Sequence, residues 1–319
     1  MTEKRQIKSR QLSVVAFGLL VVFFLVLLLK NPSVAADSTA RSLSLCARAI
    51  LPALFPFMVL SELLIACGFG DFFGKQLGRP IAALFGISRE SSAAVFLGFL
   101  CGFPVGARMA LALYDKGRIT KGECERLLGF SGLPSVAFLV SAVGVSLYQN
   151  RGFGILLWLS CMLSSVIVGI ATRKKGASFK QAPPSCMPSP TVKTFTAAIA
   201  NATAAMLSIC AYILFFGAVI DCLTHALSAL SLPKVIDALL YGFFELSSGA
   251  GAAASLECRP LSVLLCALTV GWSGISIHCQ LLTLCDGRGL SLSFYFRARI
   301  AQAILCAALV SIFAPFVFV

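Results

Sequence analysis

Charge is what this sequence lacks most. Only 12% of its 319 residues are Asp, Glu, Lys or Arg, against 58% apolar or aromatic residues and a mean hydropathy of +0.92. An ordinary soluble domain is about 25% charged and about 45–50% apolar, and surface scaling leaves a chain of this length no way to hide the excess. Soluble enzyme, secreted mini-scaffold and disordered chain are therefore excluded. Histidine is nearly absent, with two residues, so imidazole-based catalysis and metal ligation have little to work with. There is no P-loop, no H-E-x-x-H and no dinucleotide fingerprint, hence no sign of ATP-driven or hydride chemistry.

Acidic residues are half as many as basic ones, 13 against 26, for a formal charge of +13. In a soluble chain that excess would point to nucleic acid. Here the basic residues sit in short polar segments between apolar runs: Lys4, Arg5, Lys8 and Arg10; Lys116, Arg118, Lys121 and Arg126; Arg173, Lys174, Lys175 and Lys180. This is the positive-inside pattern of a multi-pass protein of a bacterial cell membrane, with no basic domain for nucleic acid. The thirteen cysteines lie mostly inside or at the ends of apolar runs, without a C-x-x-C pair. They read as small hydrophobes rather than as a disulfide or metal framework. No cofactor or metal site is expected.

The runs predict the path through the bilayer. Ser13–Leu29 is too long for the apolar core of a signal peptide and reads as a first helix with its N-terminus in the cytoplasm. Further runs fall at 43–67, 91–114, 127–148, 153–171, 194–223, 235–256, 261–285 and 290–319, and a Pro- and Lys-rich linker separates two similar halves. If every run crossed, the loop 115–126 would lie outside, against the charge rule. The parity is restored if 91–114 enters and returns. Gly102-Phe103-Pro104-Val105-Gly106 interrupts that run midway, and the ten residues before it rise about 15 Å as helix, half a hydrocarbon core. The run 235–256 has the same character, with Leu246-Ser247-Ser248-Gly249-Ala250-Gly251 at its centre. The expectation is seven full spans and two re-entrant hairpins.

Three short segments recur in order. Gly98–Pro104 answers Gly242–Ser248, Ser131–Ser135 answers Ser273–Ile277, and Phe57–Leu60 answers Tyr212–Phe215. With the opposite orientation from the charge count, they describe an inverted-topology repeat, an architecture that places a solute site between interrupted helices near the midplane.

Leu51-Pro52-Ala53-Leu54-Phe55-Pro56-Phe57, Ser61-Glu62-Leu63-Leu64 and Gly102-Phe103-Pro104-Val105-Gly106-Ala107 resemble the sporulation integral membrane proteins of the YlbJ type. So do Glu123-x-Glu125-Arg126-Leu127, Glu245-Leu246-Ser247-Ser248-Gly249, Gly274-Ile275-Ser276-Ile277-His278-Cys279-Gln280 and the late Arg297 and Arg299. The resemblance covers about residues 40–312. It implies a nucleoside-recognition or gate domain and a role in endospore formation, particularly the cortex, with no established substrate. The chain departs from it at Ser131-Gly132-Leu133-Pro134-Ser135, where an Asn- or Gly-Pro motif would be expected.

Charges inside apolar runs cost about 2.5–3.5 kcal/mol each on insertion scales and mark interior positions. Glu62, Arg108 and Glu245 are the candidates, mutually paired or tied to a solute. Gly102, Gly106 and Gly249 allow close backbone approach, and Ser131, Gly132, Ser247, Ser248, Ser273, Gly274, Ser276, His278 and Gln280 complete the candidate site with Phe103 and Pro104. Small residues also serve plain helix packing. Gly271-Trp272-Ser273-Gly274 mimics an intramembrane serine protease, but His278 would lie about 140° around the same helix from Ser273. Gly68-Phe69-Gly70-Asp71 and Tyr114-Asp115 mimic an aspartyl one, in reversed order and at span ends.

The chain is thus expected to be an all-α polytopic membrane protein, not an enzyme, with two inverted gate-type repeats plus one N-terminal transmembrane helix. Its expected divisions are 1–42, 43–172, a cytoplasmic linker 173–193, and 194–319. Its expected role is transport or conduction of a small polar or anionic solute across the lipid bilayer, as a monomer, a homo-oligomer or a partner of other sporulation membrane proteins. A membrane scaffold recruiting cortex-assembly proteins is the rival. Single cysteines introduced at 68–90 and 114–126 into a cysteine-free background should react with impermeant maleimide only in inverted vesicles; labelling from the outer face would overturn the orientation.

Overall fold

The computed structural model describes residues 2–76, 78–173, 191–228 and 233–318, with side chains except those of 2–13, 53, 70, 71 and 75. Residues 174–190, most of the expected linker, lie outside this set. Among the described residues all regular structure is helical: α1 (Thr2–Lys30), α2 (Pro32–Leu45), α3 (Leu51–Ala66), α4 (Phe69–Gln76), α5 (Gly78–Phe85), α6 (Ser92–Cys101), α7 (Val105–Asp115), α8 (Lys121–Phe130), α9 (Arg151–Ala171), α10 (Val192–Leu227), α11 (Lys234–Phe244), α12 (Leu246–Ala254), α13 (Arg259–Trp272), α14 (Gly274–Cys285) and α15 (Ser293–Phe313). Large apolar side chains stay exposed all round the molecule; on α1, Phe17 is 68% and Leu29 71% exposed. Only lipid makes such a surface tolerable. The protein is a polytopic membrane protein.

Four helices are long and apolar enough to cross: Arg151–Ala171, Val192–Leu227, Arg259–Cys285 and Ser293–Phe316. A fifth crossing is available if Val14–Lys30 and Pro32–Ile50, bent by 96°, act as one. This differs from the seven expected spans for identifiable reasons. Pro32 cannot continue α1 and pushes Asn31 out of helical geometry; the Asn31 amide then caps the Leu27 carbonyl at 2.9 Å. The expected loop before residue 43 is therefore helix. Before Pro52 the ladder widens into a π-turn, Cys46–Ile50, because Pro52 and Pro56 donate no N–H. The expected span 127–148 is broken at 131–135, where Gly132 and Pro134 interrupt it, and resumes as a π-helix, Phe138–Leu147. The run 261–285 is broken at Ser273.

Both expected hairpins are helix–break–helix units. In the first, Gly102 (φ +78°) and Phe103-Pro104 separate α6 from α7, and α7 folds back so that a Cβ on Gly106 would lie 2.6 Å from the Gly98 Cα. In the second, the break is the single extended residue Glu245 (φ −141°), not Leu246–Gly251, which form α12. Gly249 packs on Gly242 there as Gly106 does on Gly98. Limbs of nine to eleven residues rise about 14–16 Å, half a hydrocarbon core. Each hairpin is fixed by a tryptophan: Trp158 donates to the Phe99 carbonyl at 3.3 Å and Trp272 to the Phe243 carbonyl at 2.9 Å.

Helix α15 packs against α8 and α9 from the first half and α13 from the second. At one end of the molecule Arg288 clasps Asp115, with 2.8 Å contacts to each carboxylate oxygen, and the Ser291 N–H donates to Glu125. The hydrogen-bonded guanidinium holds the Asp115 carboxyl below its usual range. The segment 115–125 and the loop 286–291 are thus in contact.

The glycine contacts make a prediction. Gly98→Val or Gly249→Val would drive a side chain into backbone and should lower unfolding stability in detergent by about 1–3 kcal/mol. Gly251→Ala, where a Cβ meets nothing within 4 Å, should be neutral or stabilising by up to ~1 kcal/mol.

Candidate functional site

Unwound backbone inside a membrane protein must find partners for its freed polar groups. At the first break, 131–135, those partners can be followed one by one. The Leu133 carbonyl accepts from the Phe103 N–H at the first hairpin tip, 2.6 Å away. The Gly132 carbonyl accepts from Arg299 in a short contact, and the Gly129 carbonyl from the Gln302 amide at 3.2 Å. Ser131 turns its hydroxyl back to the Leu127 carbonyl. Hairpin tip and α15 between them close the break.

The second break is tighter. Ser273 has φ +77° and Gly274 φ +81°, a left-handed pair that costs a non-glycine residue free energy. Gly274 is required for space as well, since a Cβ there would come within 3.0 Å of the Leu246 nitrogen and 3.2 Å of the Glu245 Cα. So the second hairpin tip lies on the second break, as the first tip lies on the first. Ser273 Oγ donates to the Val270 carbonyl at 3.3 Å and accepts from Arg299 Nη1 at 3.5 Å.

Arg299 joins the two breaks. It is 1% exposed, and among the described residues no carboxylate pairs with it; carbonyl, hydroxyl and the face of Tyr295, 5.3 Å away, solvate the guanidinium instead. Tyr295, Arg299 and Gln302 share one face of α15. Tyr295 meets His278 Nδ1 at 2.7 Å and Gln302 meets Ser165 Oγ at 2.9 Å.

Beside this cluster a cleft of about 60 Å³ opens where both tips, the first break and α14 converge. Phe103, Ser135, Glu245, Ser247, Ser276 and Gln280 are among its lining residues. Glu245 caps α12, accepting from the Ser247 N–H at 2.9 Å and the Ser248 N–H at 2.6 Å. The Ser276 side chain, 1% exposed, and that of Gln280, 8% exposed, have no hydrogen-bond partner among the described residues.

The residues singled out in the sequence thus divide. Phe103, Glu245, Ser247, Ser276 and Gln280 meet in the cleft; Gly102, Pro104, Ser131, Gly132, Ser248, Ser273 and Gly274 form the tips and breaks behind it. Gly106 and Gly249 pack the hairpin limbs. His278 points away, to Tyr295. Glu62 and Arg108 form an ion pair, Nε to Oε1 3.0 Å, near Asn201 and apart from the cleft lining. Glu245 does not join them; it caps α12 instead. The protease mimics separate as well: Ser273 bonds Arg299 and His278 bonds Tyr295, Asp115 is clasped by Arg288, and the Asp71 side chain lies outside the described set. In the sequence Arg299 enters only through the family resemblance and Gln302 not at all; neither belongs to the expected site. The charge rule that marks Glu62 applies equally to an arginine seven residues into an apolar helix, with Tyr295 and Gln302 on its face.

A multi-pass α-helical membrane protein whose interrupted helices enclose a mostly apolar cleft with a few polar groups is the class defined here. The chain is 26% identical over 331 residues to the sporulation integral membrane protein YlbJ of Bacillus subtilis (strain 168), covering 92% of this chain and 81% of that one. That similarity supports its place in the YlbJ family. No family model and no solved structure matches the chain.

The bridging arginine is open to test. Lysine keeps the charge but has no planar fork to reach both breaks. Arg299→Lys should cost about 1–3 kcal/mol, the scale of one buried polar group left unmet, measured by unfolding in detergent.

Proposed function

We propose that the protein is a secondary transporter or channel for a small polar solute, acting in spore cortex formation, with no catalytic activity of its own. The solute site is the cleft between the two hairpin tips. One observation carries this reading: Ser276 and Gln280 are buried, unpartnered and turned to a cleft beside the carboxylate of Glu245. Buried polar groups are nearly always satisfied, so groups left open at a junction of interrupted helices point to a ligand that completes them.

The two halves are read as inverted repeats, each with a hairpin followed by a broken helix. Support comes from the paired glycine crossings, Gly98 with Gly106 and Gly242 with Gly249, and from the tryptophan bonds to Phe99 and Phe243. In this reading the N-terminus is cytoplasmic, the hairpins are re-entrant, and the Arg299 bridge holds the breaks between which access alternates. The sporulation role rests on the relative's name.

Stopped-flow swelling of proteoliposomes tests transport, with ribose, glycine and uridine as osmotic probes. At least one probe should enter faster than in empty liposomes, and Glu245→Ala should abolish the difference. Uniformly empty-liposome rates, together with normal cortex assembly in cells carrying Glu62→Ala and Glu245→Ala, would favour the scaffold instead.

A further inference from the structure

Resting on the cleft being a solute site, we propose that what it binds is a monovalent positive charge, either a small inorganic cation or the ammonium group of an organic solute. Glu245 is the only ionisable side chain among the residues lining the cleft, and it is 2% exposed. Both its carboxylate oxygens accept backbone N–H groups from the first turn of α12. Those bonds and the positive end of the helix dipole favour the charged carboxylate. Among the described residues no Lys, Arg or His pairs with it. The α12 amides that would otherwise attract an anion are already taken by Glu245, so an anion would meet the carboxylate with no donor in exchange.

What remains around the carboxylate suits a cation. The Ser247 and Ser248 hydroxyls join their backbone N–H groups on the Glu245 carboxylate, all neutral donors that leave its negative charge without a counter-charge. The Ser276 hydroxyl and the Gln280 amide, without partners among the described residues, add neutral oxygens at the same cleft. Hard monovalent ions and ammonium groups are held by such oxygens. An uncompensated carboxylate deep in a membrane protein is costly, and a cation in the cleft removes that cost. The cleft, about 60 Å³, has room for such a group.

Ligand binding to the folded state raises its stability, so the test needs no flux. Full-length protein in nanodiscs is unfolded thermally while N-methyl-D-glucamine chloride is exchanged for sodium, potassium or methylammonium chloride at constant ionic strength. At least one cation should raise the midpoint saturably, and gluconate in place of chloride should not change it. Glu245→Gln should need ~10-fold more cation for half the effect, a loss of about 1.4 kcal/mol. A Ser276→Ala/Gln280→Ala double variant, which leaves the helix cap intact, should weaken the response in the same direction and carries the decision if Glu245→Gln does not fold. A response to sodium or potassium alone assigns the charge to an inorganic ion; a response to methylammonium alone assigns it to the head of a solute. A flat response to every cation, a response that follows the anion, or wild-type cation dependence in both variants would overturn the inference. Cation binding without swelling would defeat the transport reading and leave this one standing; swelling without cation dependence would do the reverse.

Discussion

The guanidinium of Arg299 lies in an interior that offers it no carboxylate, and its position orders everything around it. A buried charge without a counter-ion needs dipoles in place of water, and the dipoles supplied are those that two interrupted helices set free: the Gly132 carbonyl from one half and the Ser273 hydroxyl from the other. The dependence runs both ways. Backbone unwound at 131–135 and at Ser273 is tolerable in a lipid-embedded protein only if its polar groups are met inside the protein. Helix α15, lying between α8, α9 and α13, brings Arg299 and Gln302 to them.

With the breaks pinned, the tips follow. Phe103 donates into the first break, and Gly274 has no side chain to keep Glu245 and Leu246 off the second. The cleft is the space left where both tips, the first break and α14 meet. Its lining is mostly apolar, and the polar groups it holds come from those segments. The two intramembrane charge solutions differ instructively. Glu62 and Arg108 neutralise each other side chain to side chain, whereas Glu245 is met by the neutral donors of its own helix N-terminus and by no cationic side chain among the described residues.

Much of this was legible beforehand. The first hairpin was, because Gly102 and Pro104 stop a helix through covalent geometry that no tertiary contact can override. The second was placed on the six residues just past its true break at Glu245: Ser, Gly and Ala at 247–251 suggest an interruption, yet they are good enough helix residues once Glu245 caps them. The break at 131–135 was readable from Gly132 and Pro134 but masked by the hydrophobicity of the run containing it. Ser273 was not readable as a break, since a serine in left-handed geometry is held there by its surroundings. Arg299 was visible as a charge in an apolar helix, though nothing local says what it bonds.

By itself the sequence determined the solvent, the helical class, the two hairpins and the residue types of the site. Hydropathy and the conformational limits of glycine and proline act within a few residues and are carried by composition and order. The tertiary structure alone decided that Glu62 pairs with Arg108 and not with Glu245, that His278 turns to Tyr295, and that Ser276 and Gln280 stay unpartnered beside a carboxylate. Those outcomes depend on which faces of helices separated by 17 to 46 residues come together, and pairing across such distances is set by packing of the whole molecule.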